Sequence, residues 1–93
     1  MQAIFQTVGV VGTGAMGQGI AQIAAQAGSL VKLYDLQPEA VAKASKNIQQ
    51  QWDKLLEKNR FTAEQVTKFK ANLQSASQLS DLSDCDLVIE AIV

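Results

Sequence analysis

Three glycines and one acid are the residues of this chain whose types and spacing could do chemistry: Gly12, Gly14 and Gly17 in GTGAMG, and Asp35, eighteen residues after Gly17. Glycine weakens strand and helix interiors, so five of them between Gly9 and Gly19 demand a backbone reason. In a GxGxxG turn the first glycine makes the tight turn out of a strand. The second lets the main chain approach a pyrophosphate, and the third lets the following helix pack closely on the sheet. That helix would aim unpaired N–H groups and the positive end of its dipole at the phosphates, with no basic side chain required. Gly12, Thr13, Gly14, Ala15, Met16 and Gly17 are therefore the candidate residues for holding a dinucleotide. An acid at the end of the second strand would accept hydrogen bonds from the adenosine ribose. A 2′-phosphate would meet like charge at Asp35, and no arginine follows to compensate it, so NAD is expected rather than NADP.

A GxGxxG string means little without a strand before it and a helix after it. Thr7 to Val11 reads as a short buried strand, in which Gly9 is the weak point and a packing position. Met16 to Ala27 reads as a helix carrying Ile20, Ile23 and Ala24 at helical spacing and stopping before Gly28. Gly19, on the same helix, is expected to serve close packing. Leu30 to Tyr34 supplies a second strand ending at Asp35.

Pro38 suits the first turn of a third element, where its missing N–H is not needed. Val41, Ala44, Ile48, Trp52 and Leu55 then recur in steps of three and four, one apolar stripe along a long helix. Thr62 and Gln65 form a capping box for another helix, with Phe61 placed to staple against Val66. Residues 38 to 72 thus read as a helical hairpin. Leu73 to Ala76 reads as a short strand, SQLSDLSD as a turn or brief helix, and Leu87 to Val93 as a buried strand interrupted by Glu90. Glu90 is expected to make a structural hydrogen bond near the crevice. Parallel strands joined by helical crossovers define the α/β class: a Rossmann-type, doubly wound parallel sheet, partial at about four strands, with a helical hairpin insertion.

Composition narrows the partners. The chain has 93 residues and a net charge of −1, which gives no basic field for nucleic acid. Its apolar runs are broken by glycine and its N-terminus lacks a basic n-region, so neither a membrane span nor a secretory signal is expected and a cytoplasmic location is. The single cysteine, Cys85, cannot form an internal disulfide and reads as a small buried side chain rather than a nucleophile. No metal-ligand spacing occurs. Seven of the eight cations, Lys43, Lys46, Lys54, Lys58, Arg60, Lys68 and Lys70, lie on the hairpin beside four acids, a local excess of three positive charges. Lys54 is placed to pair with neighbouring acids.

VGVVGTGAMGQGIAQIAAQAG, then LYD, then the hairpin, then DLVIEAIV resembles the N-terminal, NAD-binding part of 3-hydroxyacyl-CoA dehydrogenases, in particular the bacterial 3-hydroxybutyryl-CoA type. The 3-hydroxyisobutyrate and 6-phosphogluconate type dehydrogenases share the GxGxMG turn but lack a comparable hairpin. The resemblance implies oxidation of the 3-hydroxyl of an acyl-CoA to a ketone with NAD as acceptor. It implies cofactor contacts at Gly12 to Gly17 and Asp35, and from the main chain of Ala91, Ile92 and Val93. It implies coenzyme A contacts at Lys58 and, where some members have serine, at Gln51. It also implies a homo-oligomeric parent protein.

The family's general base is a histidine, and this chain contains none. No catalytic residue is therefore expected here. Residues 1–93 are read as the N-terminal portion of an NAD-binding domain, without the catalytic and substrate domains, inactive alone. The non-enzyme alternative is a small nucleotide-binding module.

Overall fold

The computed structural model describes residues 6–92. Strand β1 (Thr7–Val11) leads through the glycine turn into helix α1 (Ala15–Gln26), strand β2 (Leu30–Tyr34), helices α2 (Pro38–Glu57) and α3 (Ala63–Asn72), strand β3 (Leu73–Ser75), a 3-10 turn (Leu79–Leu82) and strand β4 (Leu87–Glu90). The four strands form one parallel sheet in the order β3-β2-β1-β4.

Successive side chains of a strand point to opposite faces, and that alternation sorts the core. Val8 and Val10 of β1 with Val31 and Leu33 of β2 are buried against the helices, together with Val41, Ala44, Ile48 and Trp52 of α2 and Val66 and Phe69 of α3. Trp52 is fully buried. Its indole lies 5.7 Å from the Phe69 ring and its Nε1–H donates to Gln26 Oε1 at 2.9 Å, tying the hairpin to α1. Asn72 Nδ2 donates to the Ala25 carbonyl and makes a second tie. The capping box at Thr62 and Gln65 forms as expected, and the Phe61 and Phe69 rings meet in a T-shaped pair.

Gly9 and Lys32, paired in register, face the opposite side. A Cβ at Gly9 would lie 3.1 Å from Cys85 Sγ and 3.3 Å from Leu82, so the β3 to β4 crossover rests directly on the strand there. Lys32 bonds Asp84 at 2.7 Å and the Asp81 carbonyl, pinning the same crossover.

Three expectations need correction. Helix α1 buries Gly17, Ala21 and Ala25 and turns Ile23 outward, 69% exposed. The glycine that must touch the sheet fixes which face is inward, and steps of four from it reach alanines. Gly19 does no packing, because a Cβ there would meet nothing within 4 Å. Strand β4 stops at Glu90, and Val88 and Glu90 on its second face are exposed, because β4 is a sheet edge among the described residues.

Candidate functional site

The ends of β1, β2 and β4 converge on the glycine turn. Gly12 sits at φ +112°, a conformation that only glycine adopts readily, and its N–H donates to the Tyr34 carbonyl at the end of β2 at 2.8 Å. A Cβ on it would lie 2.8 Å from the Ala91 carbonyl oxygen, so no side chain fits. Ala91 is buried and donates its own N–H to the Val11 carbonyl at 2.7 Å. A Cβ on Gly17 would run into the Gly12 carbonyl oxygen, which sets the first turn of α1 on the turn it follows. Two of the three glycines are thus required by contact within the protein.

Gly14 is different. It is the N-cap of α1, in extended conformation with no side-chain cap, and a Cβ there would meet nothing within 4 Å. The space in front of it is open. The first helical bond runs from the Gln18 N–H to the Gly14 carbonyl, so the N–H groups of Ala15, Met16 and Gly17 have no acceptor one turn back. An open cradle above free donors at the positive end of a helix suits a phosphate, and no acid stands in that first turn to compete.

Asp35 closes the other side. Its Oδ2 accepts from the Thr13 N–H at 3.2 Å and the Thr13 hydroxyl at 2.9 Å, and its Oδ1 accepts from the Gln37 N–H at 3.0 Å. The Gln37 N–H, and after it the Thr13 hydroxyl, hold the carboxyl below its usual range, partly opposed by desolvation. The Gln18 amide donates to the Thr13 carbonyl at 2.9 Å and braces the turn from the helix side. Neither the Thr13–Asp35 bond nor the Gln18 brace is legible in the sequence, since each depends on where two elements meet in space.

The remaining expected site residues divide. Ile92 is exposed beside Ala91, and Val93 lies outside the described residues. Gln51 lines an open groove of about 320 Å³ between α1 and α2, with Gln18, Gln22, Asn47 and Lys54. Lys58 is the C-cap of α2, at the turn into α3, and does not line that groove. Asn59, next in the turn, takes a left-handed φ of +58°. Among the described residues Lys54 forms no ion pair; Asp53 instead pairs with Lys70 across the hairpin at 2.7 Å. Glu90 is exposed and makes no hydrogen bond with the described residues, contrary to expectation, because no element packs over that end of the edge strand. Cys85 is half-buried, and burial pushes its thiol up, away from nucleophile behaviour. Among the described residues no cluster could hold a metal and no helix is long and apolar enough to cross a membrane.

A parallel α/β sheet with a glycine turn between β1 and α1 and an acid at the tip of β2 defines a dinucleotide-binding domain. The family model "3-hydroxyacyl-CoA dehydrogenase, NAD binding domain" matches residues 7–93. The chain belongs to this family, and its cofactor is NAD. It is 40% identical over its whole length to a 3-hydroxybutyryl-CoA dehydrogenase of Bradyrhizobium diazoefficiens, of which it covers 32%. It is 38% identical to a 3-hydroxyadipyl-CoA dehydrogenase of Escherichia coli, with 92% of this chain and 18% of that protein covered. Among solved structures, (S)-3-hydroxybutyryl-CoA dehydrogenase of Ralstonia eutropha superposes with a TM-score of 0.90 at 35% identity, over 96% of this chain and 31% of that one. The chain spans a third or less of the length of these relatives.

Proposed function

We propose that this chain holds NAD for the oxidation of a 3-hydroxyacyl-CoA, such as 3-hydroxybutyryl-CoA, to the 3-oxoacyl-CoA. The observation that carries the reading is the open cradle at Gly14, flanked by two glycines that internal contacts require, in a turn whose Thr13 is bonded to Asp35. When bound, NAD supplies the hydride acceptor. The chain's own residues bind and orient: the N–H groups at Thr13 to Gly17 take the pyrophosphate, Asp35 takes the adenosine ribose, and the main chain of Ala91, Ile92 and Val93 runs along the cofactor. Lys58 and Gln51 contact coenzyme A from the hairpin, whose excess of cations suits an anionic ligand.

The general base lies outside these residues, which contain no histidine and no substitute in the site. The catalytic and substrate domains, a homo-oligomeric assembly and a cytoplasmic location belong to the same reading. Calorimetric titration of the purified chain with NAD and NADP tests it. NAD binding with NADP clearly weaker is expected, together with no oxidation of 3-hydroxybutyryl-CoA by the chain alone. Absence of NAD binding would remove the reading, and turnover by the chain alone would overturn the placing of the base. The histidine-free composition favours a second reading, a nucleotide-binding module without catalysis. A chain that binds NAD but never supports acyl-CoA oxidation, even with a dehydrogenase's catalytic half supplied in trans, would bear it out.

A further inference from the structure

Asp35 accepts three hydrogen bonds, and they are distributed unevenly. Oδ2 takes both the N–H and the hydroxyl of Thr13, whereas Oδ1 takes the Gln37 N–H, with the Leu36 N–H a weaker influence on the carboxyl. A carboxylate oxygen has about two acceptor sites, so Oδ2 is filled and Oδ1 is the less occupied oxygen. Thr13 is itself fixed on its far side, where the Gln18 amide donates to its carbonyl. Gln18, Thr13, Asp35 and Gln37 form a continuous bonded chain from α1 through the glycine turn and the tip of β2 to the N-cap of α2. Among the described residues no charged side chain besides Asp35 itself enters this set, so hydrogen bonds orient the carboxylate.

We propose that Thr13 is the positioning residue for cofactor choice: its hydroxyl occupies Oδ2 and thereby makes Oδ1 the oxygen that receives the ribose hydroxyl of NAD. The idea rests on the reading of the turn and Asp35 as the NAD site. Without the hydroxyl the carboxylate keeps one longer bond on Oδ2 beside the Gln37 N–H on Oδ1, and its χ2, a soft torsion in aspartate, is less tightly held. Its acceptor is then misaligned for NAD. NADP gains nothing from that alignment, because its 2′-phosphate meets the carboxylate as like charge in either orientation.

The experiment is titration of the full chain and its Thr13→Val and Thr13→Ser variants with NAD and with NADP, each variant first shown to unfold cooperatively. Valine keeps the shape and removes the hydroxyl, and serine keeps the hydroxyl. Thr13→Val is expected to weaken NAD about tenfold, the scale of one hydrogen bond to a charged group, and to leave NADP little changed, so that the preference ratio falls by the same factor. Thr13→Ser is expected to restore both. NAD affinity unchanged in Thr13→Val overturns the proposal. So does an equal loss of NAD and NADP that serine fails to rescue, because damage to the turn would then be the cause. A wild-type chain that binds neither cofactor overturns the underlying site reading instead.

Discussion

Replacing each of three glycines in one turn and helix by alanine separates the packing role from the binding role. Gly17, Gly19 and Gly14 differ in what an added methyl meets: the Gly12 carbonyl, nothing, and nothing but the cradle where phosphate is placed. Alanine in a helix interior is favoured over glycine by about 1 kcal/mol, a gain common to positions 17 and 19. At Gly19 nothing opposes it, so Gly19→Ala should stabilise by about 0.5–1 kcal/mol. At Gly17 the obstacle is backbone on the turn itself, with Ala91 Cβ a further 3.6 Å neighbour. An overpacking cost of about 1–3 kcal/mol at its upper end outweighs the propensity gain and leaves Gly17→Ala about 1–2 kcal/mol less stable. For a chain of this size that corresponds to about 4–8 °C in Tm per kcal/mol. Gly14→Ala should cost under about 1 kcal/mol, since alanine is a poor N-cap but suits the extended conformation. It should nonetheless abolish measurable NAD binding. The assays are urea unfolding for all three variants and NAD calorimetry for Gly14→Ala and Gly19→Ala. A Gly17→Ala chain as stable as Gly19→Ala would refute the contact argument, and NAD affinity retained by Gly14→Ala would refute the cradle.

Two further outcomes follow from the same geometry. Trp52→Ala should destabilise by about 3–5 kcal/mol in denaturant melts, as for a large buried aromatic, because it opens a cavity and removes the ring that packs on Phe69 and bonds Gln26 of α1. Asp35 has a depressed folded-state pKa, so its contribution is present above the unfolded value of 3.8 and is lost as pH falls through the lower folded value. The stability gap between wild type and Asp35→Asn should be flat near neutral pH and close only below that value, as read from denaturation curves at stepped pH.

What the sequence shows and what it hides divide on physical grounds. Strand, turn and helix around GTGAMG were legible because local spacing dictates them, and the hairpin because its apolar stripe and capping box are local too. On α1, Ile20 and Ala24 pack against the core as expected, but hydrophobicity misleads at Ile23, which looks like core where Ala21 does not, because contact at Gly17 decides the rotation. Close approach selects small residues, which carry little hydrophobic signal. The outward exposure of Val88 and Glu90 was hidden because β4's position at a sheet edge is a property of topology rather than of DLVIEAIV. The Thr13–Asp35 bond spans 22 residues and exists only because β1 and β2 pair in register, Val11 beside Tyr34.

On the proposed reading, a chain of net charge −1 holds a pyrophosphate, which calls for a local source of positive potential. No lysine or arginine occurs before Lys32, and Lys32 is committed to Asp84 and the Asp81 carbonyl on the opposite face of the sheet. The hairpin cations lie on the helical layer, not in the turn. On the proposed reading, charge complementarity for the cofactor comes from main-chain N–H groups, which any sequence possesses but only a particular backbone path can aim. Gly12 is held under the Ala91 carbonyl and bonded to the Tyr34 carbonyl, and Gly17 is set against Gly12; these contacts fix that path. On the proposed reading, side-chain chemistry is left to Asp35, and its aim to Thr13. Removing glycines should therefore change whether the site forms or fills, while changing Thr13 or Asp35 should change which dinucleotide it prefers.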